Sequence, residues 1–212
     1  MFIDYLALLL INLTAGLLLL AYYVYDGIER PVPDQAGPGK TAANQPIAAR
    51  NLFGRPASAS WAAAFAAVGL VGFVVGVHLV TTWPLPGAFN VAFGEPNLLF
   101  STLFLGLALA VAFNWSLVPL SLYAFIAGIT AIVVGIRIET LGLTNTPALS
   151  SAGYILTGLA GVLSLPVLAW LNGKTYRLIL ALILIVAALI WAFIGYDAFW
   201  VHLVEFAKWA PK

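Results

Sequence analysis

Residues Met1–Asp26 read MFIDYLALLLINLTAGLLLLAYYVYD, and this stretch decides the fold class. Its first charge is Asp4, and no Lys or Arg follows until Arg30. A secretory signal opens with a positive segment and closes on a small-residue cleavage site. This stretch does neither, so it reads as a retained transmembrane helix from about Phe2 to Tyr25. A spanning helix needs about 20 mostly apolar residues.

The rest of the chain repeats the pattern. Five further apolar stretches run over about 60–82, 97–113, 117–138, 150–171 and 176–200. The third is short, and Asn114-Trp115-Ser116 joins it tightly to the fourth, which predicts a helical hairpin. The apolar runs are continuous rather than alternating, which excludes a transmembrane β-barrel. The expected fold is all-α, an integral membrane bundle of six helices in one transmembrane domain over residues 1–212.

Composition gives the same solvent. Of 212 residues, 8% are charged and 63% hydrophobic, with mean hydropathy +1.03. A soluble domain carries about 25% charged residues. There is no cysteine, which excludes disulfides, thiolate metal sites and cysteine nucleophiles. A net charge of +1 provides no basic field for nucleic acid.

One long polar segment interrupts the apolar runs, about residues 26–58. It is rich in Pro, Gly, Ala, Asn and Gln, and too short to bury a core of its own. Lys and Arg set the expected orientation. Arg30, Lys40, Arg50, Arg55, Lys174 and Arg177 fall on one side, against Arg137, Lys208 and Lys212 on the other. The first side, with the long loop, is therefore expected to be cytoplasmic, with both termini outside. Asp4, Glu95, Glu139, Asp197, Glu205, His78 and His202 then gather at the outer face.

The hydrophobic middles carry no Asp, Glu, Lys, Arg or His. Charge-coupled transport usually places ionisable groups at membrane depth, so a carrier of that kind is disfavoured. A passive path for a small neutral solute needs only hydroxyls, amides and small residues. Asn12, Thr14, Ser101, Thr102, Ser121, Thr130 and Thr157 are candidates for its lining. The alternative for them is hydrogen bonding within and between helices. Gly69, Gly72, Gly76, Gly128, Gly135, Gly158 and Gly161 point first to close helix packing.

The most distinctive segment is Trp83–Pro96, WPLPGAFNVAFGEP. Pro84 and Pro86 should stop the second helix, and Gly87 and Gly94 should relax the backbone. Trp83, Phe89 and Phe93 suit a membrane interface, with Asn90 and Glu95 as polar handles. It reads either as a folded loop lining an entrance or as a plain interfacial connection. The candidate outer mouth comprises His78, Trp83, Asn90, Glu95, Arg137, Glu139, Asp197 and His202. Arg137 and Glu139 are two apart and do not face each other on a helix.

No Ser–His–Asp order, phosphate loop or HExxH motif is present. An enzyme would have to work with the outer acids and histidines alone. No cofactor is expected. The alternative is a metal held by His78, His202 and Asp197, or a haem between His78 and His202. Either histidine could instead sense pH. The expected surroundings are the lipid bilayer and either further copies of the chain or a membrane-complex partner, for which the chain would be a non-catalytic subunit or scaffold.

The segment His78–Pro96, with its TWPLPGAFNVAFGEP core, resembles a family of small polytopic membrane proteins of bacteria and archaea, catalogued as domain of unknown function 981. YYVYDGIE at the end of the first helix and the LGLTNTP turn are similar too. The resemblance implies a compact helical membrane domain in a cytoplasmic membrane, and no activity. NLLFSTLFLGLALAVAFNW followed by LYAFIAGI is similar to the helix-three-to-four hairpin of the acid-gated urea and amide channels. That likeness implies a channel.

Overall fold

Asp4 opens the first helix. Its carboxylate accepts the backbone N–H of Ala7 at 3.2 Å, the usual way of satisfying a free donor at a helix start. The structure is a computed structural model, and it describes residues 4–27, 58–171 and 173–207. The predicted polar loop therefore lies almost wholly outside the described residues, as do Lys208 and Lys212.

Helix α1 (Tyr5–Tyr22) runs into a π-helical turn, Tyr23–Gly27. α2 is Ser58–Thr82, α3 Glu95–Ala112, α4 Val118–Leu141, α5 Pro147–Ala169 and α6 Lys174–Glu205. No strand occurs among the described residues. Six segments are long and apolar enough to cross a membrane. Their outer faces suit lipid: Leu122, Ile126, Ile129, Val133 and Ile136 of α4 are all exposed.

Proline and glycine set several boundaries. Pro96, Pro119 and Pro147 stand in the first turns of α3, α4 and α5, where their missing N–H costs nothing. α4 ends on Gly142, at φ +58°. The N–H of Gly142 returns to the Glu139 carbonyl and that of Leu143 to the Ile138 carbonyl, each at 3.1 Å. That pair of bonds needs a left-handed residue, which glycine supplies without a Cβ penalty.

The third span is not short. A π-helical turn, Asn90–Gly94, leads directly into α3, so the continuous segment is Asn90–Ala112. The second half of Trp83–Pro96 is therefore helical, not loop. Gly94 has φ −73°, an ordinary helical value, so backbone freedom is not its role. A Cβ there would sit 3.1 Å from the Leu79 Cβ, a tight contact, so the missing side chain eases the packing of α2. Gly87, at φ +50°, does use glycine's freedom. Phe93 is buried rather than interfacial.

The helices run up and down, each packing on the next, and α6 closes against α1. Two hydrophobic clusters fill the ring. One joins α1 to α4, α5 and α6 around Leu184 and Trp191. The other joins the far end of α1 to α2 and α3 around Phe65 and Phe104. The α4–α5 pair is in backbone contact. A Cβ on Gly128 would lie 2.5 Å from the Gly158 carbonyl oxygen, and one on Gly158 equally close to that of Gly128. Gly161 and Gly135 also approach α4 and α5 closely, a Cβ on them meeting its neighbours at 2.7 and 2.9 Å. Gly69 and Gly76 do the same between α2 and α3. Small residues at such crossings let apolar helices meet.

Candidate functional site

Two places hold the polar and unusual residues: the end of the bundle where α1 starts, and the axis of the ring.

At the first, consecutive residues of α1 hold the two histidines. The Nδ1–H of His202, near the end of α6, donates to Oδ2 of Asp4 at 2.5 Å. The Tyr5 hydroxyl is hydrogen-bonded to Nε2 of His78 on α2 at 2.8 Å, with ring centroids 5.1 Å apart. Both histidines are half-buried. The first turn of α1 thus fastens its two neighbours, and Asp4 caps its own helix while doing so.

The other candidates of the mouth scatter around this end. Trp83 is exposed and ends α2 with φ +49°. Asn90 is buried, and its amide both accepts the N–H of Leu85 at 3.0 Å and donates to the Leu85 carbonyl. It clamps the proline turn. Glu95 is exposed in the first turn of α3, where a negative charge suits the helix dipole. Arg137 reaches Thr140 on its own helix at 3.4 Å, and Glu139 and Asp197 are exposed. Among the described residues, no three His, Asp or Glu side chains converge on a metal-sized point. One ring nitrogen of each histidine is already engaged, that of His202 by Asp4 and that of His78 by Tyr5.

On the axis lies a cavity of about 170 Å³ between α1, α3, α4, α5 and α6. Every residue lining it is buried or half-buried; most are Leu, Ala, Val or aromatic, and Asn97, Ser121, Thr157 and Ser164 are its other polar side chains. Its lining includes Phe104 of one hydrophobic cluster and Leu184 of the other, so it occupies the gap between them. At the end nearer the histidines three aromatic rings form a layer. Tyr154 stands edge-on to Trp191 at 5.0 Å and to Phe93 at 5.9 Å. The Tyr154 hydroxyl donates to the Ala92 carbonyl at 2.6 Å, and Trp191 Nε1–H donates to Oγ1 of Thr157 at 3.0 Å.

The hydroxyls expected to line a polar path donate elsewhere. Thr14, Ser101, Thr102, Ser121, Thr130 and Thr157 each donate to a carbonyl three or four residues earlier in the same helix. Asn12 donates to the Val68 carbonyl of α2 at 3.0 Å. A mid-membrane carbonyl has no water to turn to, which favours this back-bonding. Arg177 is the buried charge among the described residues. It sits in the first turns of α6, and it has a partner.

Sequence reading missed Tyr5, Tyr154 and Trp191. Tyr and Trp gather at membrane interfaces. Trp191 lies deep inside a long apolar run, and that departure was the signal available.

Six membrane-length helices around an apolar cavity define a multi-pass helical membrane protein. The chain belongs to the family described as protein of unknown function (DUF981), whose model matches residues 1–205. No curated protein and no solved structure matches it significantly. The likeness to the urea and amide channels therefore rests on the quoted residues alone.

Proposed function

We propose that the protein holds a hydrophobic molecule within the bilayer, in the cavity between α1 and α3–α6. The carrying observation is the cavity's lining: mostly hydrocarbon and aromatic, with the polar side chains Asn97, Ser121, Thr157, Ser164 and Tyr154 each donating to a backbone carbonyl. Engineered cavities of roughly 150 Å³ with such walls stay dry and take up apolar guests. Water or urea entering would find few free donors, and burying a polar group unpaired costs about 1–3 kcal/mol.

The test is retention. Protein purified in mild detergent is extracted and its hydrophobic content measured by mass spectrometry. One molecule per chain is expected for wild type, and none for Ala160→Phe, which fills the cavity from α5. An Ala160→Phe protein that still melts cooperatively and keeps the same molecule at the same ratio overturns the proposal.

A passive path for a small neutral solute is the second reading. The position of the cavity on the axis of the ring favours it. Liposome swelling in urea, amides and glycerol tests it, and swelling no faster than protein-free vesicles removes it.

A further inference from the structure

The shape of the cavity restricts the shape of its guest. The lining follows α4 from its N-cap Leu117 to Ala131, and α5 from Tyr154 to Leu168. At the α-helical rise each run covers about 20 Å, roughly two-thirds of a hydrocarbon core. A volume of about 170 Å³ drawn out over that depth is a narrow bore. One end is walled by Phe93, Tyr154 and Trp191, two of them pinned by hydrogen bonds. At the other end Tyr23 stands beside Leu120, Leu168 and Leu180, three leucines whose flexible side chains carry no hydrogen bonds. The bore lies inside the span, so its supply of guests is the bilayer.

From this geometry we infer that the occupant is a single extended hydrocarbon chain, the acyl or isoprenoid tail of a membrane lipid, inserted with its methyl end toward Trp191. The inference rests on the hydrophobic-ligand reading above and adds shape, direction and a length limit. A tail that exceeds the bore meets the aromatic layer, so binding stops improving with length at that point. Residues at different depths set the limit differently. Ala131 lies beside the aromatic layer, Ala160 near the middle and Ala124 toward the leucine end.

The experiment uses the full chain in amphipol, with two series of terminally brominated chains, one linear and one methyl-branched. Bromine on the last carbon quenches a tryptophan that it touches. The component due to Trp191 is the difference between wild type and Trp191→Phe. That component should be quenched by the terminally brominated chain and not by its isomer brominated beside the head group. Ala131→Leu should shorten the longest chain bound slightly, Ala160→Leu further, and Ala124→Leu should remove binding of all lengths. The series that shows the sharper limit identifies the tail as acyl or isoprenoid. Binding without a length limit, equal binding of a fused-ring hydrocarbon, or equal effects of the three substitutions overturns the inference and leaves the hydrophobic-ligand reading standing. Absence of any bound chain or ring compound in wild type removes both.

Discussion

Helix α4 meets α5 on one side and α3 on the other, and the two seams differ. Both pairs are antiparallel and joined by short turns. Against α5, glycines at 128, 158 and 161 bring the backbones into contact. Against α3, the helices touch at the hairpin end, where a Cβ on Gly106 would lie 2.8 Å from Leu120 Cδ1. Beyond that point the space between them belongs to the cavity. Lipid tails are as apolar as leucine, so helix association in a membrane depends on close packing. A seam left open in such a protein forgoes that packing, and the gap is the part most suited to function.

Substitution can break each side of this contrast. The largest effect should come from Gly158→Leu. A side chain there meets the Gly128 carbonyl and the Ile132 backbone N. Overpacking costs about 1–3 kcal/mol even where side chains can yield, and backbone cannot. Loss of the folded, monodisperse protein in detergent is expected.

Trp191→Ala comes next. It removes a ring that is 1% exposed and its bond to Thr157. Large-to-small changes of this kind cost about 3–5 kcal/mol, read as a drop in the melting temperature. If it costs under about 1 kcal/mol, the aromatic layer is not the rigid wall described.

At the histidine end, Asp4→Ala removes both the cap and the His202 partner. A loss of about 1–2 kcal/mol is expected, of which Asp4→Asn should restore the capping share. Hydrogen exchange at the start of α1 and the end of α6 would register it locally.

The smallest effect sharpens the contrast. Gly106→Ala pushes on the flexible end of Leu120 alone, so it should change stability by less than about 1 kcal/mol, either way. If Gly106→Ala proves as damaging as Gly158→Leu, the two seams are equally tight and the contrast fails.

Much of the fold was legible in the residues. Six apolar stretches gave six helices, and the glycines marked helix crossings. The boundary that failed was the start of α3. Pro84, Pro86, Gly87 and Gly94 read together as a loop, but only the first three act as breakers. Gly94 is a packing residue inside a helical segment, and one sequence does not separate the two uses of glycine. The candidate site was less legible. The histidines were singled out, but their partners Asp4 and Tyr5 are 198 and 73 residues away in the chain.

The sequence by itself determined the solvent and the number of spans, because hydrophobic run length is set by bilayer thickness and needs no partner to interpret. It also determined that the hydrophobic middles of the spans carry no charged side chain. Only the tertiary structure decided which face of each helix looks inward, which hydroxyls donate to their own carbonyls, and where packing stops. Those depend on side chains far apart in the chain meeting or failing to meet. The cavity between the two hydrophobic clusters is such a failure, and no local pattern of residues encodes it.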